Sequence, residues 1–183
     1  NHYAGEDGTQ FSVVRYGNIM GSRGSVIPFF LSQKRNGYLT ITDERMTRFT
    51  ITLEEGVRFV EHAFKDMVGG EIYVKKIKSI KLTDIALAID PEIKQKIIGC
   101  RPGEKLHEQL ISKEDAPFTY EFDNYFKILP AIHNWSKDPN RIKNGKLVDP
   151  DFSYSSENNT EWMTIDSLKN WIKLNIKDVN NEI

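Results

Sequence analysis

A short apolar strand that runs into a glycine-rich turn and then a helix restricts this chain to few folds. Phe11-Ser-Val-Val-Arg15 has consecutive apolar residues at its centre, the pattern of a strand covered on both faces in a parallel sheet. Tyr16-Gly-Asn-Ile-Met-Gly-Ser-Arg-Gly24 forms the turn, and Ser25 is placed to cap a helix that contains Pro28 in its first turn. Gly37 predicts the end of that helix. This order of elements predicts an α/β protein.

A second strand–helix pair follows in the next part of the chain. Thr52-Leu-Glu-Glu55 is a capping box and predicts a helix that continues to about residue 67, before a short strand at Glu71-Ile-Tyr-Val74. Five apolar residues of this helix follow helical spacing, which predicts that they form its buried face. They are Leu53, Val57, Val60, Phe64 and Met67.

The pattern is weaker beyond residue 75. It predicts a short helix over about 80–89, a strand at 97–98 and a further helix after Arg101-Pro-Gly-Glu104. Residues 112–160 have little periodicity and predict irregular structure. Thr164 predicts the start of a final helix.

Composition excludes several classes of function. The 183 residues are 39% hydrophobic and 28% charged, as in a globular domain, and a net charge of −1 argues against a general nucleic-acid or membrane-surface binder. The longest apolar runs fall far short of the roughly 20 residues that span a bilayer. Cys100 is the only cysteine, so an internal disulfide is excluded and a reducing cytoplasm is favoured. Its apolar surroundings in the sequence predict a buried thiol.

The first strand also bears on the extent of the protein. A strand covered on both faces in a parallel sheet needs a neighbour on each side, and nothing before Phe11 supplies one. The chain opens with Asn1. We therefore expect the sequence to be part of a longer protein.

The glycine-rich turn is the first candidate binding segment. A strand that ends in such a turn and opens a helix gathers backbone N–H groups at the edge of the sheet where α/β proteins bind ligands. Asn18 would hydrogen-bond a sugar or a phosphate, and Arg23 adds positive charge beside the helix. An ordinary tight turn with a solvated arginine is equally compatible with this segment.

Arginine residues are the second theme. Arg45, Arg48 and Arg101 stand at the edges of predicted elements, and guanidinium groups suit a pyrophosphate because they donate bidentate hydrogen bonds at permanent charge. Glu104 would accept hydrogen bonds from ribose hydroxyls. A simple surface ion pair between Arg101 and Glu104 remains the alternative. His107, with acidic neighbours on either side, matches no standard zinc motif, so no metal site is predicted and no general acid or base is assigned.

The chain resembles the inverting UDP-N-acetylglucosamine 4,6-dehydratases of the extended short-chain dehydrogenase superfamily over almost its whole length. The matching stretches are Phe11-Ser-Val-Val-Arg-Tyr-Gly-Asn18, Gly21-Ser-Arg-Gly-Ser-Val-Ile-Pro-Phe-Phe30, Arg45-Met-Thr-Arg-Phe49, Gly70-Glu-Ile-Tyr-Val74, Lys81-Leu-Thr-Asp-Ile-Ala86, Ile97-Ile-Gly-Cys-Arg-Pro-Gly-Glu-Lys-Leu-His-Glu108 and Tyr154-Ser-Ser156 with Asn158 and Asn159.

The resemblance implies the C-terminal portion of an NAD(P)-binding Rossmann-type fold with a mixed α/β substrate lobe. Residues 1–75 would complete the Rossmann domain with an interleaved segment of the lobe, and residues 76–183 would form the lobe and tail. The implied cofactor is NADP, the implied substrate is UDP-N-acetylglucosamine, and the reaction would begin pseudaminic-acid synthesis in the cytoplasm. We expect the full-length enzyme to be a homo-oligomer.

The resemblance also assigns residues to the site. Substrate contacts would come from Asn18, Thr40, Arg48, Arg101 and Glu104. The junction with the cofactor would be formed by Arg23, Gly24, Ser25, Val26 and Ile27.

One departure from the family carries weight. The glycine fingerprint for the dinucleotide, the Thr-Asp-Lys stretch and the Tyr-x-x-x-Lys pair of the family are not found in this sequence, and Tyr3 has no lysine four residues later. This predicts that the isolated chain is inactive. A related capsule UDP-sugar dehydratase or epimerase, and a non-catalytic UDP-sugar-binding or oligomerisation fragment, remain alternatives.

Overall fold

A computed structural model describes residues 8–176, apart from the side chain of His133. The strands in chain order are β1 (Val13–Arg15), β2 (Asn18–Ile19), β3 (Tyr38–Ile41), β4 (Thr47–Ile51), β5 (Ile72–Lys75), β6 (Ser79–Lys81), β7 (Lys94–Ile97), β8 (Gln109–Ile111), β9 (Thr119–Glu121), β10 (Tyr125–Ile128), β11 (Lys146–Leu147) and β12 (Tyr154–Ser155). The helices are α1 (Val26–Gln33), α2 (Leu53–Asp66), α3 (Leu82–Ile89), α4 (Pro139–Ile142) and α5 (Ile165–Asn175). The predicted α/β class is confirmed.

The largest sheet has the order β1-β5-β10-β9-β11. β1 pairs in parallel with β5, whereas β10, β9 and β11 continue the sheet in antiparallel pairing. β1 therefore has one neighbour, and its other edge carries no strand from the described residues. The same sheet joins segments from both sides of residue 75, while the division into 1–75 and 76–183 stays a prediction.

Three smaller sheets surround the turn that follows β1. β2 pairs in parallel with β4, and β4 pairs in antiparallel with β6. β3 and β7 form a parallel pair, and β8 and β12 an antiparallel one. Two main apolar clusters hold these sheets together. One packs α1 and α3 around Leu39, Ile41 and Leu168, and the other brings Phe49 of β4 together with Val74 and Phe126 of the largest sheet.

The start of α2 was predicted correctly, but its buried face was not. The Thr52 side chain accepts from the Glu55 backbone N–H, and the Glu55 carboxylate accepts from the Thr52 backbone N–H, so the capping box is confirmed. The face that packs on the sheet consists of Gly56, Phe59 and Ala63. Of the five apolar residues expected there, four are exposed, and Met67 is half-buried. The exposed four are Leu53, Val57, Val60 and Phe64.

Three further predictions were wrong. Residues 101–108 form turns and not a helix, because the chain turns back at Arg101–Glu104 before β8. The segment 112–160 was expected to be irregular, but it supplies β9 and β10 to the largest sheet. Cys100 is exposed, because the strand β7 before it lies at a sheet edge.

Two ion pairs are buried between α2, the largest sheet and α4. Arg141 donates to Glu71 Oε1 at 2.7 Å, and both side chains are almost completely enclosed. Lys127 Nζ lies 2.5 Å from Asp66 Oδ2, and Tyr73 donates its hydroxyl hydrogen to the same oxygen. Burial opposes ionisation of Asp66, but the hydrogen bonds from Lys127, Lys143 and Tyr73 outweigh it and hold the pKa of Asp66 well below its usual range. The Asp66–Lys127 pair ties the end of α2 to β10, and the Glu71–Arg141 pair ties the start of β5 to α4.

Within residues 8–176 no helix combines the length and the apolar character needed to cross a bilayer.

Candidate functional site

A cavity of about 600 Å³ opens where the glycine-rich turn meets α1, β3, β4 and the segment 98–104. All ten residues assigned to the site from the sequence line this one cavity. They are Asn18, Arg23, Gly24, Ser25, Val26, Ile27, Thr40, Arg48, Arg101 and Glu104. Segments that lie more than 80 residues apart in the sequence are thus brought to one place, although their contacts with ligands stay predictions.

The turn reaches the cavity because β2 lies unusually close to β4. A Cβ added to Gly17 would lie 2.3 Å from the Phe49 carbonyl oxygen, so only glycine fits at that position. The close approach allows β2 and β4 to pair, with Asn18 opposite Thr50. Gly24 then adopts a φ of 73°, which turns the chain into α1.

Two hydroxyl groups at the cavity are buried and lack a hydrogen-bond partner among the described residues. Ser25 occupies the N-cap position of α1 as predicted, but its side chain makes no capping bond and its Oγ is unpaired. The Oγ1 of Thr50 is unpaired in the same way. Buried polar atoms are nearly always hydrogen-bonded in proteins, so each hydroxyl calls for a partner at the cavity, either a water molecule or a ligand. Thr50 was missed in the sequence because only its pairing with Asn18 places it here.

Two of the cavity's three arginines carry uncompensated charge. Among the described residues no carboxylate lies within ion-pair distance of the guanidinium of Arg23 or Arg101. The structure therefore does not contain the surface ion pair between Arg101 and Glu104 that was the alternative. The Glu104 carboxylate instead accepts a hydrogen bond from the Arg101 backbone N–H at 3.0 Å and closes a turn. Two cationic groups at one cavity wall favour an anionic ligand.

The third arginine is tied to the protein. Arg48 Nη1 donates to the carbonyl oxygens of Thr47 at 2.8 Å and Leu106 at 3.0 Å. It thereby joins β4 to the segment that carries Arg101. A phosphate contact by Arg48 stays a prediction, and the geometry gives this residue a bracing role in addition.

Thr40 is fixed by a side chain that the sequence did not single out. Gln33 donates from Nε2 to Thr40 Oγ1 at 2.9 Å and accepts the Thr40 backbone N–H at 3.0 Å. Gln33 is the last residue of α1, so this pair connects the helix to β3 at the cavity wall.

Arg45, the remaining arginine of the sequence pattern, lies outside the cavity. Its guanidinium makes a bidentate contact with Asp43, at 2.9 and 2.8 Å. These hydrogen bonds from Arg45 lower the pKa of Asp43 to about 2. The arginine is occupied by its neighbour, and a ligand role for it is not supported.

Other sequence features fall at the margin of the site. His107 is not on a helix; its Nδ1 lies 2.7 Å from Thr47 Oγ1. Among residues 8–176 the structure gathers no three His, Cys, Asp or Glu side chains suited to a metal ion. The segment with Tyr3 lies outside the described residues.

Parallel strand pairs, a glycine-rich turn that opens a helix at strand ends and an arginine-lined cavity at that edge define an α/β protein with a ligand site at the ends of its strands, as expected for the extended short-chain dehydrogenase type. The X-ray structure of Pen from Bacillus thuringiensis matches this chain with a TM-score of 0.77 at 34% identity, over 91% of this chain and 50% of that one. The family model described as polysaccharide biosynthesis protein matches residues 1–130. The chain belongs to this family.

Curated relatives agree with that membership. UDP-N-acetylglucosamine 4,6-dehydratase (inverting) from Campylobacter jejuni is 52% identical over 169 residues, which cover 88% of this chain and 51% of the relative. UDP-glucose 4-epimerase from Rickettsia bellii is 42% identical over 127 residues, covering 67% of this chain and 37% of the relative. The chain spans about half the length of the C. jejuni relative.

Proposed function

We propose that this chain is the sugar-nucleotide-binding part of an inverting UDP-N-acetylglucosamine 4,6-dehydratase. The observation that carries the proposal is the pair of uncompensated guanidinium groups, Arg23 and Arg101, in the same cavity as Asn18, Thr40 and Glu104. A nucleoside diphosphate sugar has a diphosphate for the Arg101 guanidinium group and hydroxyl groups for the neutral and acidic acceptors, while Arg23 adds positive charge on the side proposed for the cofactor. The dehydratase relative from C. jejuni supports this substrate for the whole enzyme.

The roles of the residues follow from their chemistry. Arg101 binds the diphosphate, Glu104 accepts hydrogen bonds from the ribose, and Thr40 contacts the uridine portion. Asn18 contacts the sugar of the substrate, since it lines the cavity from β2, the strand just before the turn that opens α1. Arg48 adds a phosphate contact through Nη2, whose one partner among the described residues is the weakly accepting Met46 sulfur, since Nη1 is taken by the carbonyl oxygens of Thr47 and Leu106.

The residues from Arg23 to Ile27 suit the edge of a nicotinamide cofactor, for which we propose NADP. Ser25, Val26 and Ile27 line the cavity at the N-terminus of α1, where the first backbone N–H groups of the helix lack intrahelical partners and provide donors for a polar group. When bound, the cofactor would accept hydride from sugar carbon 4 as the 4-hydroxyl loses its proton, and would later return that hydride to carbon 6. Between these events a proton from carbon 5 and hydroxide from carbon 6 leave together as water, and a proton returns to carbon 5 with inversion as the hydride arrives at carbon 6. The residues of this chain hold and orient the sugar nucleotide for those events.

Proton transfer requires the Thr-Asp-Lys and Tyr-x-x-x-Lys groups, which the family carries in its other half. We propose that this other half covers the open edge of β1, where Phe11 and Val13 are exposed, and also covers the exposed apolar residues of α2. The whole enzyme would act in the cytoplasm as a homo-oligomer and would supply pseudaminic-acid synthesis.

A second candidate is a UDP-sugar 4-epimerase, favoured by the match to the R. bellii relative. Both candidates place UDP in the same cavity and differ in the product. Analysis of the product formed by an enzyme of full family length separates them.

The first test is titration of the chain with UDP by calorimetry. We expect binding, and we expect Arg101→Ala to weaken it by roughly 10- to 100-fold, because a hydrogen bond to a charged group contributes about 1.5–3 kcal/mol. Arg58→Ala is the matched control, since Arg58 is exposed on α2 outside the cavity. Unchanged affinity in the Arg101 variant, or no UDP binding by the wild-type chain, would contradict the proposal.

A second test addresses catalysis. We expect no conversion of UDP-N-acetylglucosamine by the isolated 183 residues with added NADP, because the proton-transfer groups are not in its sequence. The C. jejuni dehydratase, assayed in parallel for the 4-keto product, is the positive control. Measurable turnover by the isolated chain would show that catalytic groups have been missed.

A further inference from the structure

Asn18 is held by an acidic side chain that does not itself line the cavity. Asn18 Nδ2 donates to Glu108 Oε1 at 3.0 Å, and the Phe49 backbone N–H donates to Glu108 Oε2 at 2.8 Å. One carboxylate thus bridges the neighbouring strands β2 and β4. Arg48 Nε lies 3.8 Å from Oε1 of the same carboxylate and adds a positively charged neighbour to it.

The backbone of Glu108 is fixed as firmly as its side chain. Its N–H donates to Ser156 Oγ at 2.9 Å, and the Ser156 N–H donates to the Glu108 carbonyl oxygen at 2.8 Å. Ser156 is completely buried and lies 2.7 Å from Thr47 Oγ1 on β4. Glu108 is therefore a rigid support for Asn18.

The chemistry of this contact determines which way the Asn18 carboxamide faces. An ionised carboxylate only accepts hydrogen bonds, so Asn18 must turn its NH₂ group toward Glu108. Its Oδ1 then points away from Glu108, and no residue in the described part of the chain donates to it. Since Asn18 lines the cavity, that oxygen is presented to a ligand.

We propose that Glu108 is a positioning residue that makes Asn18 a hydrogen-bond acceptor for a hydroxyl or amide N–H group of the sugar. This deepens the proposed function and rests on it, because the donor group belongs to the sugar of a sugar nucleotide. A phosphate oxygen, which only accepts, is excluded as the partner of Asn18 Oδ1. Sugar and diphosphate are thus recognised by different residues of one cavity.

A swap of amide and acid tests the direction of this hydrogen bond. In the E108Q variant the new amide oxygen must face the Phe49 N–H, so its NH₂ group faces Asn18. The Asn18 carboxamide then has to rotate by half a turn, so that its NH₂ group faces the cavity in place of its oxygen. In N18D two carboxylates face each other at the distance of a hydrogen bond. The double variant N18D/E108Q restores both the total charge and an acceptor oxygen at the cavity.

The measurement is the dissociation constant of the chain for UDP-N-acetylglucosamine and for UDP. E108Q is expected to weaken UDP-N-acetylglucosamine binding about tenfold, equivalent to one neutral hydrogen bond, and to change UDP binding less than about twofold. N18D/E108Q is expected to return within about threefold of wild type. Glu61→Gln, at an exposed position of α2, is the control.

A structural role alone would produce a different pattern. It would weaken both ligands equally and would leave the double variant at least as poor as either single one. Either result overturns the proposal, as does sugar binding that E108Q does not change.

Nuclear magnetic resonance of the free chain separates this inference from the proposed function. The Asn18 side-chain NH₂ signals are expected to shift in E108Q and to stay unchanged in Glu61→Gln. If the wild-type chain binds no UDP, the proposed function fails, and the NH₂ signals still decide whether Glu108 orients Asn18. Signals that E108Q leaves unchanged contradict the inference, whatever the ligand data show.

Discussion

Replacing Arg141 by alanine is expected to lower the free energy of unfolding by about 4 kcal/mol, because it leaves the buried Glu71 carboxylate without its cation. Arg141 donates to Glu71 Oε1 at 2.7 Å and to the Gly69 carbonyl oxygen, and its guanidinium lies 4.1 Å from the centre of the Trp135 ring. Glu71 is 1% exposed. In the variant the Glu71 carboxylate still accepts three hydrogen bonds, from Ser12, Val68 and Gly69. These bonds do not replace a full positive charge.

Urea unfolding followed by circular dichroism measures this loss as a shift of the midpoint at unchanged slope. Lys113→Ala is the matched control: Lys113 and Asp151 lie 3.3 Å apart but both are exposed, so their pair contributes about 0–1 kcal/mol. The double variant E71Q/R141M removes both charges and is expected to recover part of the loss. If R141A were no more harmful than the control, the buried pair would not stabilise the fold.

The second large effect is expected at the close contact between β2 and β4. Gly17→Ala is expected to destabilise the chain by about 3 kcal/mol, the upper part of the usual range for overpacking. The new Cβ would lie 2.3 Å from the Phe49 carbonyl oxygen and 2.5 Å from the Phe49 Cβ. A backbone atom cannot move aside as a side-chain end can, so the strands must separate. Asn18 would move with them, and UDP-N-acetylglucosamine binding should weaken in the same variant.

The same substitution on α2 provides the control. Gly56 is buried in the helix, but its added Cβ would meet nothing closer than Tyr16 Cζ at 3.9 Å, an ordinary contact. Alanine favours a helix over glycine, so Gly56→Ala is expected to stabilise the chain by about 0.5–1 kcal/mol. Opposite signs for the two variants would show that the effect at Gly17 comes from its neighbour. Equal signs would contradict the close approach of the strands.

Sequence patterns predicted those elements whose signals are local. The capping box at Thr52, the helix start at Thr164 and the turn before α1 are each encoded in a few consecutive residues, and each is confirmed. The prediction of the buried face of α2 failed because this helix has two apolar faces. Periodicity favours the larger side chains, whereas the sheet accepts the smaller face of Gly56, Phe59 and Ala63, which permits a close approach.

Long-range pairing explains the other failures. β10 pairs with β5, which lies about 50 residues earlier in the chain, and β9 pairs with β10. The short sequences of these two strands carry no local signal of that pairing. The family resemblance identified ten residues that do converge on one cavity. It did not reveal Gln33, Thr50 or Glu108, whose roles arise only from the atoms beside them in the folded chain.

The walls of the cavity come from the stretches 18–30, 40–50, 80–85 and 98–104, together with Leu168 of α5. A partly unfolded chain cannot bring these stretches together, so a ligand of this cavity selects the fully folded state. The binding free energy then adds to the free energy of unfolding and raises the melting temperature. UDP at 100 times its dissociation constant would contribute about 2.7 kcal/mol. Thermal melting with increasing ligand thus becomes a measure of affinity that needs no label and no enzymatic turnover.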